Sequence, residues 1–180
     1  SFASIGNAVL WGRSLYRNIQ RFLLFQLTVN VAACLVVLAG AFMDTDAPLT
    51  VTQMLWVNLI MDTFAAVALA SLPPNPRVMT EPPRAPDAYI ITAPMSRRIF
   101  LVGGALFLLL FLLQWYFAHA EVTTLTLLPP WGAAGEVSAY EHSLFFTSFI
   151  MLQFWNLFNA RAFATHRSAF KLKGCRGFVL

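Results

Sequence analysis

The chain has 180 residues, 58% of them hydrophobic and 11% charged, with a mean hydropathy of +0.66. A soluble domain carries about 25% charged residues, so the composition excludes an ordinary water-soluble protein and points to the bilayer. The net charge of +4 would suit a nucleic-acid binder, but the placement of the basic residues excludes that reading as well.

All twelve Lys and Arg fall in three segments: Arg13, Arg17 and Arg21; Arg77, Arg84, Arg97 and Arg98; Arg161, Arg167, Lys171, Lys173 and Arg176. Between them lie four hydrophobic blocks, 22–42, 49–72, 99–120 and 143–163. Each has about the 20 residues a transmembrane helix needs, and lipid leaves a helix as the natural way to satisfy the backbone at this length. The expected fold is all-α, a polytopic membrane helix bundle of four spans with the lipid bilayer as partner and no nucleic acid. The two other loops carry Asp44, Asp46, Glu121, Glu136 and Glu141 and no basic residue. By the positive-inside rule both termini and the 72–98 connection are cytoplasmic.

In chain order, residues 1–21 have apolar positions at Ile5, Val9, Leu10, Leu15 and Ile19, with Arg13, Arg17 and Arg21 at four-residue spacing. This predicts an amphipathic helix running unbroken into the first span. It suits mechanical coupling to a cytoplasmic body, and equally a basic anchor for anionic lipid. The first span is apolar except for Gln26, Thr28 and Asn30. At 1.5 Å per residue, Asn30 lies about 12 Å inside the membrane. The short MDTDAP turn then forces an antiparallel hairpin.

The second span, 49–72, contains LWVNLIMDT. Its Asp62 costs roughly 2.5–3.5 kcal/mol at a helix centre on insertion scales, so an acid here is a functional-site hypothesis by default. Asn58 precedes it by four residues, which in an α-helix puts both on one face. A protonated Asp hydrogen-bonded to a neighbouring helix is the competing reading. Pro73, Pro74 and Pro76 stop the helix, and the Pro- and Arg-rich segment to Arg98 is expected to be a contact surface.

The third span has Gln114 as its one polar interior residue, Gly103 and Gly104 for close packing, and Trp115, Tyr116 and His119 at the far interface. An irregular outer loop follows. The fourth span carries Gln153, Asn156 and Asn159 along one face, with Gln153 near mid-depth. Cys34 lies in a span and Cys175 on the cytoplasmic side, so no disulfide is expected. There is no signal-peptide pattern, no initiator Met, and the closing GFVL turns apolar again; the chain is expected to be a piece of a longer one. The sequence shows no internal repeat, phosphate-binding Gly-rich loop, metal-binding Cys/His set or nucleophile–His pairing.

Asn30, Asn58, Asp62 and, as a further candidate, Gln153 each offer an oxygen at comparable depth. Hard cations take carboxylate and carbonyl oxygens, and Ca²⁺ takes six to eight. The lack of thiol or imidazole partners argues against a soft metal. A single carboxylate is little charge for a divalent ion, so backbone carbonyls, water or other helices would have to complete the set.

FLLFQLTVNV followed by QMLWVNLIMDTFAAVALASLPP, led by FASIGNAVLWGRSLYRNI, resembles the C-terminal membrane part of P-type calcium-transporting ATPases, especially the plasma-membrane, calmodulin-regulated type and its bacterial relatives. The resemblance implies that the four spans are helices five to eight of a ten-helix transport domain. It further implies that 1–21 is the stalk and the end of the phosphorylation domain, 22–163 the cation-transport region, and 164–180 a cytoplasmic segment leading to the next span. Asn58 and Asp62 match cation ligands of the sixth helix and Asn30 an amide ligand of the fifth. Ala33 and Gln153 stand where two-site relatives carry Glu, which implies one Ca²⁺ per cycle. ATP and Mg²⁺ would act only in the parent chain, on a DKTG aspartate this segment lacks, so no catalytic residue is expected here. The remaining helices and cytoplasmic domains of the pump are the expected partners, and a multi-pass site in the bacterial inner membrane the expected location. A membrane scaffold or regulator whose polar residues only join helices, and a pump for H⁺ or another hard cation, stand as the alternatives.

Overall fold

The computed structural model describes residues 1–42, 49–85, 87–119 and 139–163. The MDTDAP turn, most of the outer loop and the segment 164–180, with Arg167, Lys171, Lys173, Cys175 and Arg176, lie outside the described residues.

The first helix, α1 (Phe2–Phe42), has 41 residues and no break. At 1.5 Å per residue it is about 62 Å long, twice the hydrocarbon thickness of a bilayer, so its first half is a rod outside the membrane. Gly12 does not interrupt it, because a single glycine lowers helix propensity without removing a backbone hydrogen bond.

The second pass starts at Thr50. Its hydroxyl accepts from the Gln53 N–H at 3.3 Å, and the Gln53 side chain accepts from the Thr50 N–H at 2.9 Å. This reciprocal capping box satisfies two otherwise orphaned donors and launches α2 (Val51–Trp56). The pass then widens into one π turn, Val57–Met61, and resumes as α3 (Asp62–Ala70). It ends just before Pro73 and Pro74, as expected from residues that cannot continue a helix.

α4 (Ala93–His119) begins six residues ahead of the apolar block, so Arg97 and Arg98 form its first turns. α5 (Ala139–Ala162) closes the described chain. Helices α1, α2–α3 and α4 are long and apolar enough to cross a membrane. α5, at 24 residues, is long enough, but Gln153, Asn156 and Asn159 with Glu141 and Arg161 dilute its apolar character. The described chain is therefore all-helical, and three of its helical stretches are candidate membrane spans.

α1 is the centre of the bundle and contacts α3, α4 and α5. Leu24, Phe25, Val29, Ala33 and Val36 are its buried face, meeting Leu69, Leu110 and Phe149 from the other passes. Lipid tails are as apolar as these side chains, so close packing rather than water exclusion holds the bundle. Toward its N-terminal half α1 supplies polar clasps. Asn18 Nδ2 donates to the Leu72 carbonyl at 3.4 Å and Arg21 Nε to the Phe163 carbonyl at 3.3 Å, serving carbonyls left over where two helices stop.

The connection from Leu72 lies along the same rod. Its 3₁₀ turn Pro76–Met79 is held by Arg13, whose Nη1 donates to the carbonyls of Val78 and Glu81, both at 2.8 Å. Arg17 pairs with Glu81 at 2.5 Å, Gln20 Nε2 donates to the Ile90 carbonyl at 2.9 Å, and Arg84 stacks on Tyr16. Arg13 and Arg17, two members of the predicted basic stripe, thus hold a loop of their own chain.

Candidate cation site in the membrane

The site is built where α1 packs against α3, just after the π turn. A π turn closes i→i+5 rather than i→i+4 hydrogen bonds and so carries an extra residue per turn, a device frequent at functional sites. Asp62 stands at its end. The Thr63 hydroxyl donates to the Leu59 carbonyl at 2.5 Å inside the wide turn, and the Thr28 hydroxyl donates to the Leu24 carbonyl at 2.6 Å on α1.

The Asp62 carboxylate is not alone. Gln26 Nε2 of α1 donates to Asp62 Oδ2 at 3.0 Å. Gln26 was absent from the candidate set, yet the spacing that reveals it is in the sequence. Asn30 follows Gln26 by four residues, and Asn58 precedes Asp62 by four. In two antiparallel helices, steps in opposite chain directions run the same way along the bundle, so pairing Gln26 with Asp62 puts Asn30 and Asn58 both on the same side of that bond.

On that side, Asn58 borders a cavity of about 10 Å³ with Gln53, Val57, Val29, Ala33 and Phe149. The space is about one water-sized sphere. Asn30 is half-buried and Asn58 exposed, and neither side chain forms a hydrogen bond within the described residues. The π turn replaces the α-helical interval on which the shared face of Asn58 and Asp62 was predicted.

On α5, Gln153 lies one turn inward of Phe149 and therefore nearer the level of Asp62. It is 0% exposed, and neither its Nε2 nor its Oε1 has a hydrogen-bond partner. Asn156 Nδ2 likewise has none. A fully buried amide without partners costs about 1–3 kcal/mol, so Gln153 is a reserve of unused polar capacity inside the bundle.

Among the described residues no three His, Cys, Asp or Glu side chains gather. The donor set is one carboxylate and several amides. Such a set suits a hard cation through oxygen, and offers Asp62 no second titratable group for acid–base work.

A family model described as "Cation transporting ATPase, C-terminus" matches residues 46–179. "Plasma membrane calcium-transporting ATPase 3" of Homo sapiens is 39% identical over 176 residues, covering 94% of this chain and 14% of that protein. "Calcium-transporting ATPase 8, plasma membrane-type" of Arabidopsis thaliana is 40% identical over 167 residues, 89% of this chain and 14% of the relative. "Calcium-transporting ATPase 5, plasma membrane-type" of Oryza sativa subsp. japonica is 41% identical over 161 residues, again 89% and 14%. The chain thus spans about one-seventh of the length of these relatives.

Proposed function

The chain belongs to the cation-transporting ATPase family by its C-terminal membrane region, and from that premise we propose that it supplies cation ligands and mechanical coupling to an ATP-driven calcium pump. The transported Ca²⁺ is the substrate. The observation that carries the reading is the carboxylate of Asp62, set inside an apolar pass and held by Gln26. Asn30 and Asn58 lie on one side of that bond, and Asn58 borders a cavity with room for one small particle.

In this reading Asp62, Asn30 and Asn58 ligate Ca²⁺, with Gln153 available on α5. The buried Ala33, 4% exposed, and the neutral Gln153 leave no charge for a second ion, which supports one Ca²⁺ per cycle. The four passes correspond to helices five to eight of the transport domain. Residues 1–21 are the stalk and the end of the phosphorylation domain, 22–163 the transport region, and 164–180 the lead into a further span. The exposed Phe2, Ile5, Trp11 and Leu15 on the rod support a body docked there in the complete protein. ATP and Mg²⁺ would be handled by that body. The setting is a plasma membrane, the bacterial inner membrane on the sequence resemblance.

The test is Asp62→Asn in the full-length pump. Loss of Ca²⁺ uptake and of Ca²⁺-dependent phosphorylation is expected, with the protein still assembled. Normal uptake and normal Ca²⁺ dependence would refute the site. A pure helix-joining role for Asp62, which the Gln26 bond also accommodates, predicts lower stability with no ion-dependent effect, and competition by other cations reports selectivity.

A further inference from the structure

Among the described residues, Gln26 is the one hydrogen-bond donor to the Asp62 carboxylate. The hydroxyls that neighbour the pair in sequence are engaged elsewhere, Thr28 on the Leu24 carbonyl and Thr63 on the Leu59 carbonyl. Nor do Asn30 and Asn58 bond to the acid. We propose that Gln26 is a positioning residue for the transported cation: it fixes Asp62 through Oδ2 and leaves Oδ1 to the ion. This rests on the reading of Asp62 as a Ca²⁺ ligand.

The chemistry favours an amide at this position. An ionised carboxylate has about four acceptor sites. One strong donor on one oxygen restrains the group while the rest of its acceptor capacity stays open. Carboxylates that ligate metals are commonly restrained in this way, and loss of such a partner typically costs 10–100-fold in metal affinity. Lys or Arg would restrain Asp62 just as well, but would bring a positive charge against the incoming cation and cancel the one negative charge of the site. A Ser or Thr is also uncharged but has a much shorter side chain than glutamine. Glutamine joins reach, a strong donor and zero charge. Since α1 is continuous from Phe2 to Phe42, Gln26 also ties the position of the acid to that of the cytoplasmic rod.

The experiment uses the full-length pump in membranes, with Ca²⁺ titrations of phosphorylation by ATP. Gln26→Met keeps an unbranched chain of similar size and removes the donor. The Ca²⁺ concentration for half-maximal phosphorylation is expected to rise about 10–100-fold. The phosphoenzyme level at saturating Ca²⁺ and phosphorylation by inorganic phosphate without Ca²⁺ should both remain near wild type. A fall in maximal level with an unchanged half-saturating concentration would mean a structural role and overturn the proposal. Gln26→Asn withdraws the amide by one methylene and guards against misfolding of the first variant; an unshifted titration in Asn would also overturn it. Asp62→Asn run in parallel separates the two levels. If Asp62→Asn loses Ca²⁺ dependence while Gln26→Met is unshifted, only the role of Gln26 falls. If Asp62→Asn titrates normally, the site itself falls.

Discussion

Gly103 of α4 lies so close to Val31 of α1 that a β-carbon added at the glycine would stand 3.1 Å from Val31 Cγ1 and 3.4 Å from the Thr28 carbonyl oxygen. Small residues let transmembrane helices approach, and this contact secures α4 two residues beyond Gln26 along the central helix.

The neighbouring Gly104 meets nothing within 4 Å, which makes the pair an internal control. Alanine at either position gains up to about 1 kcal/mol of helix propensity. At Gly103 that gain is offset by overpacking worth roughly 1–3 kcal/mol, because the β-branched Val31 has little rotamer freedom with which to retreat. Gly104→Ala should therefore be the more stable variant by about 1–3 kcal/mol, read as a higher thermal midpoint of the detergent-solubilised protein. Equal midpoints would mean that α1 and α4 are not in this close contact.

Two arginines one turn apart hold the loop after α3 with different strength. Arg17 and Glu81 are 27% and 48% exposed in their side chains, and such a pair contributes only about 0–1 kcal/mol after solvent screening. Arg13 donates to two backbone carbonyls, which have no counter-ion to replace it. Arg13→Ala should release the 78–81 segment to limited proteolysis several times faster than wild type, and Arg17→Ala should leave the cleavage rate nearly unchanged. High salt should abolish what small difference Arg17→Ala makes and leave the Arg13→Ala effect in place.

Gln153 has no partner for either end of its amide, so Gln153→Leu should remove an unmet polar cost of about 1–3 kcal/mol. A raised thermal midpoint in the absence of Ca²⁺ is the expected result. If Gln153 ligates the ion, the same variant should lose part of the additional stabilisation that saturating Ca²⁺ gives, since a ligand stabilises only through its affinity for the folded state. A fall in the Ca²⁺-free midpoint would indicate that the rest of the pump supplies Gln153 with a hydrogen-bond partner.

The all-helical fold and the long apolar helices were legible in the sequence, and so was the oddity of Asp62 as an acid in an apolar run, each for a one-dimensional reason. Block length and backbone satisfaction in lipid decide that a 20-residue apolar run is a helix. A charge in an apolar run stands out by its cost. The Thr50–Gln53 capping box was also present in the letters, as a threonine three residues ahead of a glutamine, but the search for spans by hydropathy passed over it.

The π turn carries no such mark. Val57–Met61 reads like any apolar helical stretch, and the extra residue in the turn shows only in the backbone hydrogen bonding. The clasp of Arg13 and Arg17 on the 72–92 connection was equally hidden, because the stripe reads the same whether its charges face lipid, solvent or another part of the chain.

Composition and charge order by themselves determined an all-helical chain with long apolar helices and one expensive acid in an apolar run. Only the tertiary structure decided that Gln26 is the group bonded to that acid, that the pass widens into a π turn just before it, and that the Gln153 amide is buried with nothing to bond. The reason is physical. Hydropathy and the cost of charge are properties of a residue in its solvent, whereas a hydrogen bond between helices depends on register and axial rotation, which the packing of Gly103 on Val31 and the wide turn before Asp62 set together.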